Sequence, residues 1–173
     1  MRALLVDRDG VINHDSPDFI RSPADWRALP GSLEALATAH RAGYHVVVVS
    51  NQSGIARGLL SAAQLNAVHR RLCVELACFG GRIEAFFFCP HAPADGCVCR
   101  KPQPGLLLAA ARRFGIDLAR TPFIGDRASD VMAARRAGAR PILVRTGLEP
   151  VTLDDGDTLD VFDDLRAAIA ALL

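Results

Sequence analysis

The chain has 173 residues, a formal net charge of +1 and a 50% hydrophobic composition. That length suits one domain with a full core and no need of disulfides. The near-neutral balance argues against a nucleic-acid partner, and no stretch approaches the ~20 apolar residues of a membrane span.

In chain order, the first apolar run covers residues 3–6 and breaks at Asp7. It is too short for a signal-peptide core, so a cytoplasmic location is expected. Short runs without polar alternation suit strands buried on both faces. Asp7-Arg8-Asp9-Gly10 follows this first strand. An unassigned stretch, 11–31, leads to a predicted helix over 32–42, stopped by Gly43. Residues 46–49 read as the second strand, followed by Ser50-Asn51-Gln52-Ser53-Gly54. A helix over 61–78 opens with the capping-box pair Ser61 and Gln64. The third strand is 85–88, with the unassigned stretch 89–103 behind it. A helix over 104–114 stops at Gly115, and a fourth strand covers 122–124. Gly125-Asp126-Arg127-Ala128-Ser129-Asp130 comes next, then a helix over 129–137 stopped by Gly138. A glycine just past a helix supplies the left-handed residue that ends it. The fifth strand is 141–144, followed by the unassigned stretch 146–158. A short strand over 159–161 and a helix over 163–172 close the chain.

This alternation predicts an α/β fold with a doubly wound, mostly parallel, Rossmann-like sheet, built as a single domain over residues 1–173. The intervals from Gly10 to Ser32 and from Gly54 to Cys89 leave no room for a large cap domain.

Four polar clusters each follow a predicted strand, so a parallel sheet gathers them at its carboxyl edge, where such sheets bind ligands. Asp7 and Asp9 are two apart on a segment read as extended, which points both side chains the same way. With Asp126 from a neighbouring strand they form an oxygen-rich anionic pocket suited to Mg²⁺. Ser50 offers a hydroxyl donor, and Lys101 offers a compact charge to a phosphoryl group. Lys101 is the single lysine among nineteen arginines. The set supports phosphoryl transfer through a carboxylate nucleophile.

Cys89-Pro90-His91 and Cys97-Val98-Cys99 place three thiols and an imidazole in one short loop. That is a complete tetrahedral zinc set. A structural zinc would staple the loop 89–99, inserted after the third strand, and fix Arg100 and Lys101 beside it. Cys73 and Cys78 read as ordinary helix thiols; His14, His40, His45 and His69 are assigned no chemistry. Trp26 and Tyr44 read as packing residues.

The four clusters resemble the haloacid dehalogenase-like superfamily: Asp-x-Asp-Gly, a Ser/Thr, a Lys and an acidic Gly-Asp-x-x-x-Asp, in order from Asp7 to Asp130. The resemblance implies that Asp7 attacks phosphorus to form an aspartyl phosphate. It implies that Asp9 protonates the leaving alkoxide and then activates water. Mg²⁺ would be held by Asp7, the backbone carbonyl of Asp9, and Asp126, with Asp130 one layer behind. The zinc loop, with the Asp7–Asn13 and Ser50–Gly58 segments, is similar to the sugar bisphosphate phosphatase branch of this superfamily. That branch implies loss of the 7-phosphate from a heptose 1,7-bisphosphate, on the route to bacterial lipopolysaccharide. Histidinol-phosphate phosphatases share the zinc loop but carry an acidic residue where Ser53 stands. Asn51, Arg57, Arg100 and Arg127 are the candidate substrate contacts. The expected partner is a small phosphorylated sugar, with no nucleic acid, no membrane, and a monomeric state. The loop 13–27 is hard to align with the family pattern, so its contacts are left open.

Overall fold

The computed structural model describes residues 1–152 and 158–173; part of the 146–158 stretch therefore lies outside the described residues. Its strands are β1 (Ala3–Val6), β2 (His45–Asn51), β3 (Ile83–Cys89), β4 (Pro122–Gly125), β5 (Arg140–Val144) and β6 (Asp160–Phe162). They form one sheet in the order β3-β2-β1-β4-β5-β6, and every neighbouring pair is parallel. The order reverses between β1 and β4, which opens a crevice beyond their carboxyl ends.

The helices are α1 (Ser32–Arg41), α2 (Ala62–Cys78), α3 (Gly105–Phe114), α4 (Ala128–Ala137) and α5 (Leu165–Ala170). Successive strand side chains alternate between faces. Leu4, Val6, Val46 and Val48 pack with α1, α2 and α5 in one core. Ala3, Leu5, Val47 and Val49 pack with α3 and α4 in the other. The apolar runs are unbroken because both faces are covered.

Local signals set the helix ends. The Ser61 side chain accepts the Gln64 backbone N–H, and the Gln64 side chain accepts that of Ser61. Gly115 and Gly138 end α3 and α4 in left-handed conformation. The closing helix is shorter than its apolar pattern: Asp164 caps it by accepting from Ala167 N at 2.8 Å. Among the described residues, no helix is long and apolar enough to cross a membrane.

The stretch 11–31 is tied down. Val11, Ile12, Ile20 and Trp26 are buried in the first core, and the Ser32 hydroxyl donates to Ile12 O at 2.6 Å.

Candidate active site

A pocket of about 490 Å³ opens at the carboxyl edge of the sheet, over β1, β2 and β4. Asp7, Lys101 and Asp130 line its floor. Asp7 follows β1 directly and is tied to β4 by its backbone N–H, which donates to Ile124 O at 2.9 Å. Lys101 arrives from the loop after β3 and is only 3% exposed. Its ammonium lies 2.8 Å from Asp7 Oδ2 and 2.7 Å from Asp130 Oδ1, and donates to Val49 O at 3.1 Å. All three of its protons are thereby used. Burial would lower this ammonium, but Asp130 and Asp7 raise it to about 12.

Asp130 is held as firmly. Its Oδ2 accepts from the backbone N–H groups of Asp126 and Arg127 at 3.1 and 3.0 Å. Gly125 makes that turn possible, since a Cβ there would lie 2.3 Å from Asp130 Cβ. Asp126 is buried, and neither of its oxygens has a hydrogen-bond partner. A Cβ on Gly10 or Gly147 would come within 2.4 or 2.2 Å of Asp126 Oδ2. The Thr146 hydroxyl donates to Gly10 O at 2.6 Å and ties these two segments together.

Asp7, Asp126 and Asp130 bring carboxylate oxygens within 4.8 Å of one another. Burial pushes the Asp7 carboxyl up to about 7 against the pull of Lys101. Burial, with Asp7 and Asp130 nearby, pushes Asp126 up to about 8. Three crowded acids, one of them, Asp126, with neither oxygen hydrogen-bonded, fit a hard divalent cation, which would reverse both shifts.

Asp9 lines the same pocket as Asp7 but stands outside the three-carboxylate cluster. The backbone bends after Asp7 because Arg8 O accepts from the amides of Val11, Ile12 and Asn13, and Gly10 takes a φ of 78°. Asp9 forms an isolated bridge with Asn13 just before this turn, and its side chain is absent from the cation cluster. Its carboxylate lines the pocket, gripped by Arg8, Asn13 and Gln52. Burial would raise this acid, but the Arg8 charge and those hydrogen bonds hold it below the ordinary value.

The residues after β2 divide their tasks. Ser50 is buried behind the wall and accepts from Gln52 Nε2 at 3.3 Å. Asn51 faces the pocket, yet its amide clamps the backbone of Lys101. Nδ2 donates to Lys101 O at 3.1 Å, and Oδ1 accepts from Lys101 N at 3.0 Å.

Arg57, Arg100 and Arg127 all line the pocket. Arg127 is paired with Asp15, which carries the 13–27 loop to the wall. Arg57 lies 5.6 Å above the Phe19 ring, and Phe19 adopts a φ of 64°. Asp15, Phe19 and Gln52 were not singled out in the sequence; each takes part through a partner distant in the chain.

Cys89, His91, Cys97 and Cys99 converge after β3. The three sulfur–sulfur distances are 3.5, 3.3 and 3.4 Å, and His91 Nδ1 lies 3.5 and 3.3 Å from Cys89 and Cys99. These spacings are far beyond the ~2.05 Å of a disulfide. They are close to the edges of a tetrahedron with ~2.3 Å metal–sulfur bonds. Burial pushes the Cys89 thiol up to about 12, a value a bound zinc would bring down. The donor set and its shape fit zinc. The loop is docked on α3, where a Cβ on Gly105 would lie 2.3 Å from Val98 O.

The HAD-hydrolase-like family model matches residues 98–168. The chain is 48% identical to a D-glycero-beta-D-manno-heptose-1,7-bisphosphate 7-phosphatase of Bordetella bronchiseptica, over 100% of this chain and 98% of that one. It is 45% identical to the protein of the same name from Pseudomonas putida, over 100% of both. A crystal structure of the D,D-heptose 1,7-bisphosphate phosphatase from B. bronchiseptica, complexed with magnesium and phosphate, superposes with a TM-score of 0.93. Its identity is 47%, and the match covers 99% of this chain and 98% of that one. The chain thus belongs to the haloacid dehalogenase-like hydrolases and, within them, to the family of these heptose bisphosphate phosphatases.

Proposed function

We propose that the protein is a magnesium-dependent phosphomonoesterase that removes the 7-phosphate of D-glycero-β-D-manno-heptose 1,7-bisphosphate. The observation that carries this is the buried Asp7–Lys101–Asp130 ion-paired floor, with the orphaned Asp126 beside it and arginines around the wall.

An Asp7 oxygen attacks phosphorus, and the bond from phosphorus to the C7 oxygen breaks. Asp9, an ionised carboxylate at rest, takes a proton from the entering phosphate monoester monoanion and passes it to the leaving alkoxide, leaving an aspartyl phosphate on Asp7. Water then attacks that phosphorus and passes a proton to Asp9. Inorganic phosphate departs and Asp7 is restored. Mg²⁺ held by Asp7, Asp126 and the Asp9 carbonyl would offset the repulsion between nucleophile and phosphate. Lys101 orients Asp7 and faces the transferring group. Ser50, behind the wall, accepts from Gln52 and steadies the side chain that donates to Asp9. Arg100, with Arg57 and Arg127, takes the second phosphate; a guanidinium fork suits its oxygens. Zinc on the four-residue cluster would hold the Arg100–Lys101 segment in place. The working unit is read as one cytoplasmic chain forming a single domain.

The test is phosphate release from heptose 1,7-bisphosphate anomers, fructose 1,6-bisphosphate and histidinol phosphate. The expected outcome is the highest kcat/KM with the β-heptose bisphosphate. Preference for histidinol phosphate would replace this assignment with the alternative of a histidinol-phosphate phosphatase.

A further inference from the structure

Arg8 stands between the two aspartates of the first motif, and the chemistry above gives it no task. It is fully buried, in a residue class seldom found so. An unpaired charge there would be strongly destabilising. Asp9 supplies the pair: Arg8 Nη2 is 2.8 Å from both Asp9 oxygens, and Nε is 3.1 Å from Oδ1. This two-sided grip fixes the plane of the carboxylate as well as its position.

The far side of the guanidinium is also backed. Arg8 Nη1 faces His69 Nε2 at 3.5 Å. Arginine only donates, so that nitrogen must be an unprotonated acceptor. The His69 ring stacks on Phe86 of β3 at 4.0 Å between centroids and 11° between planes. Gln52 closes the circle, donating to Asp9 Oδ2 at 2.9 Å while its Oε1 faces Arg8 Nη2 at 3.5 Å. Neither Arg8 nor His69 lines the pocket.

We infer that Arg8, braced by His69, is a positioning residue that sets the direction from which Asp9 delivers its proton. The inference rests on the proposed role of Asp9 as proton donor. A lysine at position 8 keeps the charge but has no planar fork, so it holds Asp9 at a point without fixing its plane.

The leaving group separates positioning from plain structural support. A sugar alkoxide must be protonated as it leaves; p-nitrophenolate leaves without a proton at neutral pH. The ratio kcat/KM covers binding and this first transfer, and not the later water attack common to both substrates.

The experiment measures kcat/KM for heptose 1,7-bisphosphate and p-nitrophenyl phosphate in wild type, Asp9→Asn, Arg8→Lys, His69→Phe and His69→Gln. Zinc content and thermal melting verify the fold. Arg8→Lys is expected to lose about 10²-fold on the sugar phosphate and far less on the aryl phosphate, the pattern of Asp9→Asn. His69→Phe keeps the stack and removes the acceptor, so it should show the same bias more weakly. His69→Gln restores an acceptor and should recover most of the loss. If Arg8→Lys does not fold, the two His69 variants decide. Equal losses on both substrates, or none, while Asp9→Asn remains biased, would overturn the role of Arg8. An unbiased Asp9→Asn would overturn the proton-donor reading and this inference with it.

Discussion

The Lys101 ammonium is bonded to the Asp7 carboxylate at 2.8 Å, and both side chains are almost wholly buried. The same ammonium holds Asp130 at 2.7 Å, so it is the counter-charge for two acids at once. Lys101→Met should therefore leave two uncompensated carboxylates and destabilise the fold by about 3–5 kcal/mol. Asp7→Asn keeps the volume and should fold normally, yet release no phosphate, because an amide does not attack phosphorus. Denaturant unfolding and a phosphate-release assay check both outcomes.

Arg100 is adjacent to Lys101 but faces the pocket wall and donates to His91 O at 3.4 Å. Arg100→Ala should raise KM and lower kcat/KM for the bisphosphate far more than for p-nitrophenyl phosphate. Equal loss on both substrates would move Arg100 from substrate recognition to loop structure.

One zinc per chain is expected from metal analysis, independent of added Mg²⁺. Chelation should lower the melting temperature, since ligand binding stabilises the folded chain. Turnover should fall with it, because the loop ends one residue before Arg100. Extra magnesium should not restore it. A zinc-free protein with freely titrating thiols would remove the claim.

Gly147 lies against the orphaned oxygens of Asp126. A Cβ at that position would be 2.2 Å from Asp126 Oδ2. Gly147→Ala should therefore raise the magnesium concentration needed for half-maximal activity and leave zinc content unchanged. Isothermal titration with Mg²⁺ would show an unaltered affinity if the close approach were unimportant.

Protons and magnesium should compete for the same acids. In the metal-free fold Asp7 is raised to about 7 and Asp126 to about 8, from 3.8. Between those values the folded chain binds protons that the unfolded chain has released. Stability of the metal-free protein should then fall as pH rises from about 4 to about 8. Saturating Mg²⁺ should flatten that slope, and apparent Mg²⁺ affinity should drop as pH falls through 8 and 7. Thermal melts across pH, with and without Mg²⁺, read both effects.

The strand-end clusters were legible because parallel strands must place their carboxyl ends together. Val46 through Val49 alternate between two cores, so an unbroken apolar run already told of a sheet covered on both faces. The zinc set was legible because its ligands lie within one loop. Distant pairings were not. His69 meets Arg8 across 61 residues, and neither residue type announces such a contact. The turn that follows Asp9 depends on three amides converging on Arg8 O, which no spacing rule reports. The partnership of Asp15 with Arg127 likewise appears only once the 13–27 loop is folded onto the fourth cluster.

That loop and the segment leaving the cysteine loop border the pocket. Arg127 fastens one border and the metal-binding loop carries Arg100 on the other. The Arg127–Asp15 pair sets one side of the mouth when the chain folds. Selection has to happen at entry, by the charge and breadth of the arriving molecule. A small dianion that slips past the arginines meets the same reactive floor as the proper guest. Under the proposed function, protection against wasteful hydrolysis would rest on the spacing of a few guanidinium groups, and changing that spacing would be the direct route to a different diet for the same catalyst.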